Sequence, residues 1–274
     1  SAQFGGDQYI AGQKEPVIDM PTRFVDFMRV LVPMAGDDTT PEGEQVNIYG
    51  NHVGSWNFAA TAYLNRWKVK IYYEHYFDDH SQMFFQYGRW KDGHIGLEIT
   101  FPKNRFIDTF VYEGLGTKDQ TGPMLYDSFW GKFEEQISAK DNYYNHYLYQ
   151  GWQHWGMGIG NPLLPGPIYN KNGQITFISN RVLAHHIGFC GSPCQSLSYR
   201  MLLSYSRHWG TYDNPLNEIK KQFNSLFEVT YAPQQLKGWS FTVSGAMDRG
   251  SILGNNYGGM LVIRKQGIIK SGNK

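Results

Sequence analysis

Hydrophobic and polar residues alternate with a period of two along much of the chain. In 239–247, Trp239, Phe241, Val243 and Met247 alternate with Ser240, Thr242, Ser244 and Ala246. Successive side chains of a strand point to opposite faces, so this pattern predicts a strand with one apolar face and one small, polar face. Segment 223–231 sets Phe223, Ser225, Phe227, Val229 and Tyr231 against Asn224, Leu226, Glu228 and Thr230. Segment 69–78 sets Val69, Ile71, Tyr73 and Phe77 against Lys70, Tyr72, Glu74 and Asp78, and 95–101 sets Ile95, Leu97, Ile99 and Phe101 against Gly96, Glu98 and Thr100. Segments 54–64 (Trp56, Phe58, Ala60, Ala62, Leu64) and 197–205 (Leu197, Tyr199, Met201, Leu203, Tyr205) repeat the pattern. Segments 20–33, 105–116, 174–189 and 256–268 read as strands with broken alternation, for a total of about ten.

Roughly ten residues is the length a tilted strand needs to cross the hydrocarbon layer of a membrane. The connections also alternate. Short links at 65–67, 102–104, 190–194 and 233–237 follow every second strand, with long ones at 34–44, 79–92, 117–172, 209–221 and 248–255 between them. Outer-membrane barrels are built this way, with their short turns facing the periplasm. Trp56, Tyr231 and Trp239 stand near strand ends, where an interfacial aromatic girdle would place them. The expected fold is all-β: one domain over 1–274 forming an antiparallel transmembrane β-barrel with long extracellular loops. The longest loop, 117–172, is read as extracellular or plug-forming. A soluble antiparallel sandwich alternates in the same way and stands as the alternative.

Composition narrows the partners more than the fold. Aromatic residues make up 16% and charged residues 18%, against a usual charged share of roughly 25%. That bias is common to membrane barrels and to soluble carbohydrate-binding sandwiches. A net charge of +1, with Lys and Arg scattered, leaves no footprint for nucleic acid. No apolar run approaches the roughly 18 residues of a spanning helix, so membrane passage would have to be by strands in a closed barrel. The N-terminal SAQFGGDQYIAG has no charged segment followed by an apolar run and does not read as a signal peptide. Cys190 and Cys194 are the only cysteines. No zinc-site spacing or βαβ redox context accompanies them. A small disulfide closing the turn is expected, with two free thiols as the alternative.

Short phrases spread over nearly the whole chain carry a family resemblance. They include Gly50-Asn51-His52-Val53-Gly54-Ser55-Trp56, Tyr73-Glu74-His75-Tyr76-Phe77-Asp78-Asp79, Gly96-Leu97-Glu98-Ile99 and Asp119-Gln120-Thr121-Gly122-Pro123. Further along are Asp141-Asn142-Tyr143-Tyr144, Ile159-Gly160-Asn161-Pro162-Leu163, Asn180-Arg181-Val182, Ala184-His185-His186, Gly210-Thr211-Tyr212 and Asn256-Tyr257-Gly258-Gly259-Met260. In their order these resemble the Wzi-type capsule assembly family, in its Bacteroidetes-like form. The resemblance implies a large monomeric outer-membrane barrel, of eighteen strands in the best-known case, that holds capsular polysaccharide at the cell surface. About ten strands fall short of that number, so N-terminal strands are expected to precede this chain; a reduced, closed ten-strand barrel is the other option.

Enzyme signatures do not appear. There is no Gly-x-Ser-x-Gly elbow, phosphate-cradling loop or His-Glu-x-x-His, and no cofactor or metal site is expected. Glu74, Asp78, Glu98, Arg181, Arg200 and Glu228 are candidates for a lumenal polar network, with a glycosidase carboxylate pair the lesser reading of the acids. His185 and His186 point to opposite faces of a strand and cannot chelate one ion together. Segment 117–172 carries Tyr143, Tyr144, Tyr147, Tyr149, Trp152 and Trp155 beside Asp141, Asn142, Asn145 and Gln153. Flat rings pack on sugar C–H faces while amides and carboxylates meet sugar hydroxyls. Asp141, Asn142, Tyr143, Tyr144, Trp152 and Trp155 are therefore the candidate glycan-binding residues; the alternative is a plug packed on its own aromatics. The expected function is a non-enzymatic outer-membrane barrel that binds or organises exported capsular polysaccharide. Its expected partners are outer-membrane lipid and lipopolysaccharide. A solute or saccharide channel is the second reading, and a soluble carbohydrate-active enzyme the third.

Overall fold

The computed structural model describes residues 2–3, 5–7, 9–41, 45, 49–78, 83, 92–104, 106–120, 125–126, 136–137, 141–146, 148–149 and 151–267. The first strands are β1 (Ala2–Gln3), β2 (Asn51–Leu64), β3 (Trp67–Asp78), β4 (Gly93–Thr100) and β5 (Thr109–Gly116). Short strands follow as β6 (Leu125–Tyr126), β7 (Gln136–Ile137), β8 (Gln153–His154) and β9 (Met157–Gly158). The last are β10 (Val182–Cys194), β11 (Leu197–Gly210), β12 (Pro215–Tyr231), β13 (Trp239–Gly250) and β14 (Asn256–Lys265). One sheet runs in the order β1-β2-β3-β4-β5-β10-β11-β12-β13-β14, with each neighbour antiparallel. From β2 to β14 it is an up-and-down meander in which the longest excursion separates β5 from β10. Among the described residues no ladder joins β14 to β2, so the sheet is open.

Directly paired residues share a face, so the register sorts the side chains. One row runs Tyr72, Gly96, Glu113, His186, Ser204, Asn224, Asp248, Asn256 across eight strands. This face, here termed inner, is polar. The opposite face carries Phe58, Ile71, Ile95, Phe227, Val243 and Leu261, each between 49% and 64% exposed. Asn51, Asp78, Ser206, His208, Gln222 and Ser244, on the inner face, are all buried. Burial is thus inverted relative to a protein folded around an oily core: the apolar side faces out and the polar side faces in. Among the described residues, no helix is long and apolar enough to cross a membrane, which leaves strands as the elements to consider.

Several sequence expectations need correction. Segment 20–33 holds a helix, α1 (Phe24–Leu31), in place of a strand. Phe24, Phe27, Met28 and Leu31 recur at helical spacing. Asp26 binds Arg23 at 2.9 Å and Arg29 at 3.2 Å, each three residues away and reachable only along a helix. Asp37 takes the same two guanidiniums at 3.0 and 2.8 Å and ties the following turn to the helix. Val30 anchors α1 in a small cluster with Met20, Tyr49 and Leu148.

Segment 190–194 is not a turn. Cys190 pairs with Arg200 and Cys194 with Leu197 in the β10–β11 ladder, and the reversal comes after them at Gln195–Ser196. Both thiols are free, Cys190 half-buried and Cys194 exposed. Four strand residues span roughly 13 Å at about 3.3 Å each, whereas a disulfide needs Cα atoms within about 7 Å. Gly191 and Pro193, which suggest a turn in the sequence, sit at a break in the register between Gly191 and Cys194. The strand expected over 174–189 begins only at Val182, and the loop expected over 209–221 shrinks to 211–214 because β12 starts at Pro215.

Candidate functional site

The excursion between β5 and β10 is strapped across the loop end of the inner face. At its base, Thr117 Oγ1 donates to the Asn180 carbonyl at 2.6 Å and accepts from the Val182 amide at 2.9 Å, closing the chain's exit against its return. Asn180, fully buried, donates from Nδ2 to Asn142 Oδ1 at 2.6 Å and to the Tyr143 carbonyl at 2.8 Å. Gln120 Nε2 donates in turn to Asn180 Oδ1 at 3.0 Å. Such a fully bonded amide fixes two strands of loop that a single side chain must reach at once.

Carboxylates tie this knot to the wall. Asp92, at the entrance to β4, accepts the Asp119 amide at 2.9 Å, the Gln120 amide, and the Tyr143 hydroxyl at 3.4 Å. Burial pushes its carboxyl up to about 6, against the pull of those two amides. Burial likewise pushes the Tyr143 phenol well above its ordinary range. Asp78, at the end of β3, accepts the Tyr144 amide at 2.7 Å. The Trp152 indole donates to Asn51 Oδ1 on β2 at 3.3 Å. Leu164, Phe177, Val182 and Ala184 form the apolar seam beneath.

Two cavities flank this strapped segment. The inner one, about 540 Å³, lies between loop and wall and is lined by Glu74, Asp78, His94, Tyr144, Trp152 and Asn161 among others. The outer one, about 740 Å³, is lined by Asp141, Asn142, Asn145, His146, Gln174 and Asn217, among others. His146 is pushed down to about 4 by burial.

Beyond the cavities, β8 and β9 form a hairpin whose tip is Trp155-Gly156, with φ of 52° and 79°. Both angles are positive, the combination of the type I′ turn, which favours Asn-Gly and strains a bulky first residue. Gly156 is required there, since its carbonyl accepts the Ile168 amide at 2.8 Å and a Cβ would press on Ile168 backbone atoms. The Trp155 ring stands 85% exposed.

The expected glycan residues therefore divide. Trp155 is displayed, and Asp141 and Asn142 line the outer cavity. Tyr143, Tyr144 and Trp152 face inward, with Trp152 only 5% exposed. Tyr147 lies outside the described residues. Of the expected lumenal network, Arg200 pairs with Glu228 at 3.3 Å, Glu98 with Lys68 at 3.7 Å, and Glu74 with His94 at 3.8 Å. His94 also meets Glu113 at 3.5 Å, and Glu113 accepts from the Tyr72 hydroxyl. Arg181 stands apart, donating to the Lys118 carbonyl at 3.1 Å and stacked 3.9 Å over Tyr212.

Sequence reasoning passed over Asn51, Asp92, His94, Glu113, Thr117 and Asn180 as site residues. Asn51 and Asn180 lie in the phrases that carry the family resemblance, the one signal that could have drawn attention to them. Among the described residues, no group of three or more His, Cys, Asp or Glu side chains is arranged to hold a metal ion. The fold and site define an all-β antiparallel sheet with a loop segment bonded across its polar face. Comparison with protein-family models, curated proteins and solved structures returned no match.

Proposed function

We propose that this chain is wall and surface loop of an outer-membrane β-barrel that binds or organises exported capsular polysaccharide. The carrying observation is the inverted burial of the sheet, with Phe58, Ile71, Phe227, Val243 and Leu261 exposed on one face and a hydrogen-bonded polar network on the other. A lipid-facing barrel wall has this distribution, and in water it would be an aggregation surface. In hydrocarbon an unpaired strand edge leaves its N–H and C=O groups unsatisfied, so in this reading the edge of β14 and that of β2, which β1 covers only at Asn51 and His52, meet partner strands in the assembled wall. The loop strapped by Asp78, Asp92 and Asn180 favours retention of a ligand over free passage through the lumen. The displayed Trp155 supplies a ring for stacking on a sugar, and the resemblance to the Wzi-type family supplies the capsular role.

The test is cellular. Expressed with an export signal in a Gram-negative host, the protein should fractionate with the outer membrane, require detergent for extraction and bind purified capsular polysaccharide. Recovery as a soluble monomer without detergent would overturn the membrane reading. Steady ion conductance in planar bilayers without polysaccharide binding would favour a channel.

A further inference from the structure

We infer that the inner cavity is a site for a positively charged amine, and that the glycan unit it accepts carries a free ammonium group; this rests on the polysaccharide reading and deepens it. At about 540 Å³ the cavity falls within the size of small-molecule sites, roughly 300–1,000 Å³. Its charged lining is one-sided. Glu74 and Asp78 contribute two carboxylates, and among the described residues the lining includes no Lys or Arg. On the same face Glu98 is matched by Lys68 and Glu228 by Arg200.

Glu74 has room to act. It is 38% exposed, and its ion-pair partner among the described residues is His94 at a loose 3.8 Å. Asp78, by contrast, is committed through Oδ2 to the Tyr144 amide and adds its charge from a fixed position. Five aromatic rings, Tyr76, Phe77, Tyr143, Tyr144 and Trp152, border the same space. Aromatic faces attract cations through their quadrupole and also pack on the C–H faces of a sugar ring. Low-dielectric walls concentrate the field of the two carboxylates. An anionic sugar would meet that field as repulsion, and a neutral one would gain nothing from it.

The test uses the full chain in detergent micelles and isothermal titration with three probes: glucosamine, N-acetylglucosamine and glucose. Glucosamine should bind at least tenfold more tightly than N-acetylglucosamine, which keeps the ring and loses the charge. Glu74→Gln should abolish that preference, and Glu74→Asp should restore part of it. Glu98→Gln, paired with Lys68 away from the cavity, should leave the preference intact. Heat-modifiable gel mobility would check that each variant is folded. Equal affinity for the three sugars, or a glucosamine preference surviving Glu74→Gln in a folded variant, would overturn the inference. If the protein binds capsular polysaccharide yet shows no amine preference, this inference fails while the polysaccharide reading stands. If it binds glucosamine with the stated preference and no polysaccharide, the cavity assignment holds and the polysaccharide reading fails.

Discussion

The ring of Tyr72 on β3 lies across the bare backbone of Gly96 on β4 and delivers its hydroxyl to Glu113 on β5. A Cβ on Gly96 would collide with that ring. Gly96 is thus a gap that lets one strand's side chain reach the next strand but one, joining three strands on the inner face. Gly96→Ala is expected to expel the tyrosine and lower stability by about 1–3 kcal/mol, the usual cost of overpacking. Tyr72→Phe in the Gly96→Ala background should restore only part of it, because the added Cβ meets the ring carbons as well as the hydroxyl. Chemical denaturation of the detergent-folded protein measures both.

The two faces of β12 and β13 should respond oppositely to charge. Phe227 and Val243 are 49% and 61% exposed on the apolar side. Thr230 and Thr242, whose hydroxyls share a hydrogen bond of 2.8 Å, sit on the polar side. Arg at Phe227 or Val243 is expected to cost about 2–4 kcal/mol near the bilayer middle, and Arg at Thr230 or Thr242 far less. Folding titrations into lipid vesicles would show it. Equal tolerance on both faces would remove the membrane from the account.

The sheet is the part of the structure most readable from sequence, because a period of two assigns faces without knowledge of any partner. Tyr72, Glu74 and Asp78 fall opposite Ile71, Tyr73 and Phe77 as their spacing requires. The errors lie where one local pattern serves two structures. Phe24, Phe27, Met28 and Leu31 fit a helix as well as a broken strand, and the deciding Asp26–Arg23 and Asp26–Arg29 pairs appear only once the chain is coiled. Cys190-Gly191-Ser192-Pro193-Cys194 has turn composition, yet the ladder to β11 runs through it. The loop anchors are least readable: Asn180 matters through Thr117, Gln120 and Tyr143, which approach it only after the wall has formed.

Asp92, buried, and His146, half-buried, give the loop opposite pH dependences. Asp92 is 1% exposed, and its carboxyl is raised by burial from an ordinary 3.8 to about 6. Its contribution to stability is therefore fully present below about 3.8 and lost as pH rises through about 6. The His146 imidazole is lowered by burial from 6.5 to about 4. Its contribution is present above 6.5 and lost as pH falls through about 4. Relative to Asp92→Asn, the unaltered protein should lose stability as pH rises from 4 to 7; relative to His146→Asn it should lose stability as pH falls over the same range. Thermal unfolding across that range measures both differences, and the same slope for the two comparisons would refute the assignment.

Both cysteines should be alkylated without prior reduction in the folded protein, Cys194 faster than Cys190, in keeping with their exposures. Mass spectrometry after brief iodoacetamide treatment reads the order. A mass two hydrogens lighter and unreactive toward the reagent would restore the disulfide.

Trp152 and Trp155 are three residues apart and should behave as different kinds of residue. Trp152 is 5% exposed, bonded to Asn51 and packed at the cavity. Trp152→Ala should cost about 3–5 kcal/mol, as large aromatic truncations in a core do. Trp155 is 85% exposed and occupies a left-handed turn position with φ of 52°. A bulky residue pays for that conformation and Asn adopts it readily, so Trp155→Asn should leave the fold intact and raise stability by roughly 0.5–1 kcal/mol. If the ring is kept there to stack on a sugar, the same substitution should weaken polysaccharide binding several-fold. Stability and binding would then move in opposite directions from a single change. A Trp155→Asn protein that gains stability and keeps full binding would mean that the glycan contact lies elsewhere. One that loses stability would mean that this ring supports the fold through contacts the hairpin geometry does not reveal.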